Sequence, residues 1–134
     1  MAIDPGKRRL GLALSDELGW AHPLATLDRR GNRRDIEAIG RLAKEHGVEG
    51  IVVGLPLNMD GSEGQAAKGA RRLAEEIEKA LALPVRLQDE RLSSFEAEGR
   101  LKNAGVNIGR KRGLVDQLAA VVILEDFLAE LEKK

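Results

Sequence analysis

Three sets of carboxylates stand where the chain gives them no evident structural duty: Asp4, the pair Asp89-Glu90, and Asp116. Asp4 follows a very short apolar start, Ala2-Ile3, and precedes Pro5-Gly6. Leu10, Leu12 and Leu14 then alternate as a half-buried strand does, so the segment reads as a hairpin whose turn is Pro5 to Arg8 and whose rim carries Asp4. An Asp before Pro-Gly can also simply start a turn by bonding to its own backbone. Asp89-Glu90 stand at the C-terminal end of a strand, where open parallel sheets place their ligands. Adjacent residues of an extended strand face opposite ways; alternation with Val85 and Leu87 favours Asp89, reach favours Glu90, and the pattern leaves both open. Asp116 shares a helical face with Ala119, Ala120, Ile123 and Phe127. That face is apolar enough to lie on a sheet, where an acid is costly unless it is paired or holds a cation. The plainer account of Asp116 is favourable placement in the first turn of a helix.

If Asp4, one of Asp89 and Glu90, and Asp116 converge, they form an all-oxygen donor set suited to hard ions such as Mg or Mn. Such ions serve phosphodiester cleavage, one activating water and a second stabilising the leaving oxygen at a separation of about 3.5–4 Å. Basic residues flank each acid: Lys7, Arg8 and Arg9; Arg91; and Arg110, Lys111 and Arg112. They can hold substrate phosphates or balance the acids, although charge runs also form ordinary solvated faces. The segment from Gly54 to Gly61 lacks the lysine and spacing of a glycine-lysine-serine phosphate loop. Its amides and Asn58 could still meet a phosphate or sugar at a helix N-terminus. His22 and His46 are too isolated to make a metal set.

Composition narrows the classes. The 134 residues are the length of one ordinary domain, read as a single unit over 1–134 with no room for a separate binding domain. Basic and acidic residues number 22 each, so any polyanion binding must come from local patches rather than a net field. The absence of cysteine excludes thiolate metal sites, disulfides and thiol nucleophiles. Trp20, Phe95 and Phe127 are the only aromatic rings, so stacking on splayed bases is nearly unavailable. No apolar run approaches a membrane span and no signal-peptide pattern opens the chain, which points to a cytoplasmic protein without a membrane partner.

The elements that must position these acids follow from periodicity. Residues 1–4, 9–15 and 22–27 form a meander, with a second turn at Asp16 to Gly19. Ile36, Ile39, Leu42 and Ala43 give a helix from about Arg33 to His46, with Asn32 as its cap. Val48 to Gly54 reads as a buried strand. A helix through Ala67, Ala70, Leu73, Ala74, Ile77 and Leu81, a strand at residues 84–88 and a helix capped by Ser93 or Ser94 and ended at Ala104-Gly105 come next. A last helix runs from Leu114 to about Leu131. The connection from Asn103 to Gly113, rich in Gly and carrying the basic run, reads as mobile. The order implies an α/β fold: a five-stranded mixed sheet, its first three strands antiparallel, with helices on both faces.

Four stretches together resemble the RuvX family, also called YqgF, of Holliday junction resolvases and pre-16S ribosomal RNA nucleases. They are Asp4-Pro5-Gly6-Lys7-Arg8-Arg9-Leu10-Gly11 with Ala13 to Asp16; Val53 to Ser62; Asp89 to Ser94 with Glu96-Ala97; and Lys111 with Asp116, Ala119, Ala120, Ile123 and Leu124. The resemblance spans nearly the whole chain. It implies an RNase H-like fold and a divalent-metal nuclease site whose acids are Asp4, Glu90 and Asp116, preferring Glu90 over Asp89. It further implies nucleic acid as partner: precursor ribosomal RNA trimmed at its 5' end, or a four-way DNA junction cut by a homodimer with two sites. The rival reading is a non-catalytic module that binds nucleic acid or ribosomes.

Overall fold

A computed structural model describes residues 1–91, 93–105 and 112–133, with nothing stated for the side chains of Ser93 and Ser94. The strands are β1 (Ala2–Pro5), β2 (Arg9–Ser15), β3 (Ala21–Asp28), β4 (Ile51–Leu55) and β5 (Val85–Asp89). The helices are α1 (Asn32–Glu45), α2 (Gln65–Leu81), α3 (Ser93–Asn103) and α4 (Arg112–Glu132). The sheet order is β3-β2-β1-β4-β5, with β1, β2 and β3 antiparallel and β4 parallel to both β1 and β5. This is the mixed sheet expected from the sequence. Ala2-Ile3 would be marginal at an edge; the chain instead places β1 at the centre, where β2 and β4 both pair with it.

Alternation sorts the strands onto two faces. Ile3, Leu10, Leu12, Ile51 and Val53 face α1 and α2, meeting Ile36, Ile39, Leu73 and Ile77 in the larger core. Ala2, Ala13 and Val52 face α4, meeting Ala120, Val121, Ile123 and Leu124. Helix α3 packs on α4 through Ala97 and Leu101 against Val115 and Ala119. The helices therefore cover both faces, as the element order requires.

Several boundaries differ from the sequence reading by a few residues, and two of the differences have a local cause. Strand β4 begins at Ile51 rather than Val48, because the Val48 amide is committed to Ala43 O at 2.8 Å. That bond, with Gly47 at φ 63, closes the C-terminus of α1 in the manner of a Schellman cap. Helix α1 starts at Asn32 itself, behind Gly31 at φ 105, and no side chain caps it. The Asn32 amide instead bonds Glu76 on α2 at 2.7 Å, and its oxygen accepts from Arg29. Most of the glycine-rich connection read as mobile, residues 106–111, lies outside the described residues. No described helix is long and apolar enough to cross a membrane.

Candidate active site

The carboxyl ends of β1, β4 and β5 lie along one edge of the sheet, and two of the acids emerge there on the α4 face. Asp4 has the parity of Ala2 and stands opposite Gly11 on β2. Glu90 has the parity of Gln88, a buried side chain that bonds Glu130 of α4 at 3.1 Å. The Glu90 amide is fixed to Leu55 O at 3.1 Å. Its buried carboxylate lies directly over Gly54, where a Cβ would meet Glu90 Cδ and Oε2 at 2.8 Å and Ile123 Cδ1 at 2.7 Å. A side chain at position 54 would therefore occupy the space of the acid, and glycine is the residue that leaves it open.

Asp4 and Glu90 are in side-chain hydrogen-bond contact, and Asp116 is close enough for its charge to act on Asp4. Burial pushes the Asp4 carboxyl above the usual carboxylate range; the hydrogen bond with Glu90 opposes that rise and the Asp116 charge adds to it. A contact between two carboxyl groups needs a proton on one of them.

Helix α4 delivers Asp116 by an unusually close approach. A Cβ on Gly11 would collide with the Asp116 carbonyl oxygen, so the helix backbone rests on bare strand. Thr26 on β3 completes the seat: its hydroxyl donates to Gly113 O at 2.5 Å and accepts from Gln117 Nε2 at 3.0 Å. On the same side of the sheet, Arg9 Nε meets Asp116 Oδ2 at 2.5 Å, with the two side chains 34% and 21% exposed. The ion pair leaves both groups open to a substrate at the rim. Arg9 engages Asp116 while Asp4 engages Glu90, and no three His, Asp or Glu side chains among the described residues converge as a ready metal cluster.

The remaining residues singled out from sequence divide clearly. Asp89 points away from the acids: its carboxylate pairs with Arg91 at 2.9 Å. Burial alone would raise its pKa, but the Arg91 amide and guanidinium outweigh that and hold it below the usual range. Arg91 also donates to Met59 O at 3.1 Å, tying the β4–α2 loop to the end of β5. Asn58 is spent within that loop, its amide on Ser62 Oγ at 2.9 Å and its backbone on Ser62 O at 2.8 Å. Lys7 and Arg8 are exposed beside Asp4. Arg112 pairs with Glu98 at 2.7 Å, and Arg110 and Lys111 lie outside the described residues. His22 pairs with Asp16 at 2.8 Å, and His46 ends α1. Thr26, Gln117, Gly11 and Gly54 were not singled out as site residues; glycines inside strand patterns are the one signal, since they mark a close approach.

A family model described as Holliday junction resolvase, RuvX, matches residues 1–130. The chain belongs to the RuvX family. Among RuvX relatives, a protein of Anaeromyxobacter dehalogenans named "Putative pre-16S rRNA nuclease" is 50% identical over 129 residues, covering 96% of this chain and 94% of its own length. One of the same name from Synechococcus elongatus is 45% identical, covering 97% and 88%. In fold, the chain is similar to Thermus thermophilus RuvC, both in complex with a Holliday junction substrate (TM-score 0.61, 16% identity) and in another structure (TM-score 0.54, 15% identity). Each likeness covers 98% of this chain and 94% of the other. At that identity the likeness speaks for the RNase H-like fold alone.

Proposed function

We propose that this RuvX-family chain is a divalent-metal-dependent endonuclease, acting as one domain over residues 1–134, that processes the 5' end of precursor 16S ribosomal RNA. The observation that carries this reading is the contact of Asp4 with Glu90 at the strand ends, with the charge of Asp116, on a helix seated on Gly11, acting on Asp4. The names of the similar bacterial proteins supply the substrate. The donor chemistry suits Mg or Mn: carboxylate oxygens alone, on elements locked by packing. Asp4 and Glu90 would hold the ion, with Asp116 as the third donor. When bound, such an ion polarises the phosphoryl oxygen and makes water a competent nucleophile.

The chain's own residues prepare the site. A side-chain hydrogen bond holds Asp4 and Glu90 side by side, and when both are ionised they are anionic donors. Arg9 neutralises Asp116 and holds it at the rim, where the same guanidinium stands available to a substrate phosphate. Arg8, exposed on the β1–β2 turn, adds positive charge at the mouth.

Purified protein with Mg or Mn is expected to shorten a 5'-extended small-subunit precursor RNA. Asp116→Asn keeps the side-chain shape and removes the charge, so it should bind RNA with wild-type affinity, melt near the wild-type temperature and fail to cut. Calorimetric titration with Mn reads the number of ions held. The family description favours a second reading, cleavage of four-way DNA junctions, which needs two sites and hence a homodimer. Symmetric paired nicks on a synthetic junction, with no cleavage of RNA, would replace the first reading by the second. Tight metal-independent RNA binding with no cleavage of either substrate would make the chain a binding module.

A further inference from the structure

The β1–β2 turn borders a second concavity, on the side of the sheet away from the acids. Pro5 continues the Ile3 side of β1, the side covered by α1 and α2. Between this turn and the first turns of α1 and α2 lies a cavity of about 360 Å³, lined among others by Gly6, Lys7, Arg29, Gln65, Gly69 and Arg72. No carboxylate lines it, in a chain where acids and bases are equal in number. Arg29 is already neutralised by the buried Asp35 at 2.9 Å. Lys7 and Arg72 are exposed, and neither enters an ion pair among the described residues. The nearest acid along the loop, Glu63, is held away by a two-pronged pair with Arg71 at 2.7 Å on each arm.

The walls suit a charged backbone better than a base. Gly6 and Gly69 contribute no side chain, so a strand can come close to the protein there. Helix α2 opens at Gly64 with no side-chain cap and no acid in its first turn, adding donor groups of the same sign as the two cations. The turn that follows Asp4 in sequence lines this cavity through Gly6 and Lys7, so one short turn borders both the acid's strand and the cavity.

We propose that the cavity is a backbone-binding subsite that takes a phosphodiester of the substrate strand, with Lys7 and Arg72 as its charge partners. The inference rests on the nucleic-acid reading above and extends it to the opposite side of the sheet. It makes α2, and not only the rim beside the acids, part of the substrate track.

The test uses the full chain carrying Asp116→Asn, so that RNA is bound and not cut. Affinity for the precursor RNA, and for an unrelated single-stranded RNA of equal length, is measured by fluorescence anisotropy across a salt series. Lys7→Gln and Arg72→Gln should each weaken binding to both RNAs and flatten the slope of log K against log salt by about 0.7. Both positions are exposed, so thermal melts should not move. Lys79→Gln, an exposed charge in the last turn of the same helix, should leave the slope unchanged. An unchanged slope for Arg72→Gln, or an equal shift for Lys79→Gln, overturns the subsite while leaving the nuclease reading intact. Failure of the parent protein to bind either RNA overturns both together.

Discussion

The two faces of the sheet are built on opposite terms. Toward α1 and α2, the strands present Ile3, Leu10, Leu12, Ile51 and Val53, and branched side chains of the helices fill the space between layers. Toward α4 they present Ala2, Gly11, Ala13, Val52 and Gly54, so little that a helix backbone touches β2 directly. Apolar area removed from water stabilises roughly in proportion to its size, so the first face carries more of the stability. The second face gives up side-chain volume for position: with no long side chains between helix and sheet, Asp116 is placed by backbone contact and by Thr26, and Glu90 by the bare surface of Gly54. The comparison teaches that thickness and precision have been separated, one to each side of β1.

Substitutions can break or sharpen that separation. The largest expected effect is Ile77→Ala on the thick side, where the side chain is 0% exposed. It should cost about 2–5 kcal/mol in urea unfolding. Cleavage per folded molecule should stay near wild type, and a matching fall in kcat would show that the faces are not separate. Gly54→Ala on the thin side should do the reverse. Its Cβ would displace Glu90 or Ile123, at a cost of about 1–3 kcal/mol in stability. Displacing the acid by a fraction of an ångström to an ångström should lower cleavage by about 100-fold. Wild-type cleavage by this variant would remove Glu90 from the site.

The smallest effect lies at the far end of α4. Burial raises the Asp126 pKa, and the charges of Glu96, Glu125 and Glu130 raise it further against Arg100. A carboxyl that holds its proton more tightly when folded favours the folded state as pH falls through its titration range, and opposes it once ionised. Asp126→Asn should therefore raise Tm slightly at pH 7 and remove that part of the pH dependence, the gain being limited by solvent screening at an exposed position. A lower Tm would mean that the Asp126 charge is compensated, and cleavage should not change in either case.

What the sequence by itself determined is whatever depends on local pattern. Strand alternation, helical spacing and cap residues located all nine described elements, and the spacing of Ala120 and Ile123 from Asp116 identified a face of α4 that lies on the sheet; both are fully buried. The short spacing between the first three strands set their antiparallel order. The choice between Asp89 and Glu90 could not be made this way. Alternation correctly puts Asp89 with Val85 and Leu87, but that is the α2 side, and which side receives the acids depends on where α4 crosses, more than twenty residues later. The basic residues were equally undetermined. Arg9 is paired with an acid 107 positions away, and Arg112 with Glu98, while Lys7 and Arg72 share a cavity from separate elements. Periodicity is a property of a segment and survives in the sequence. Charge pairing and close approach are relations between segments, fixed only when the sheet, its crossovers and the helix lying on Gly11 bring those segments together.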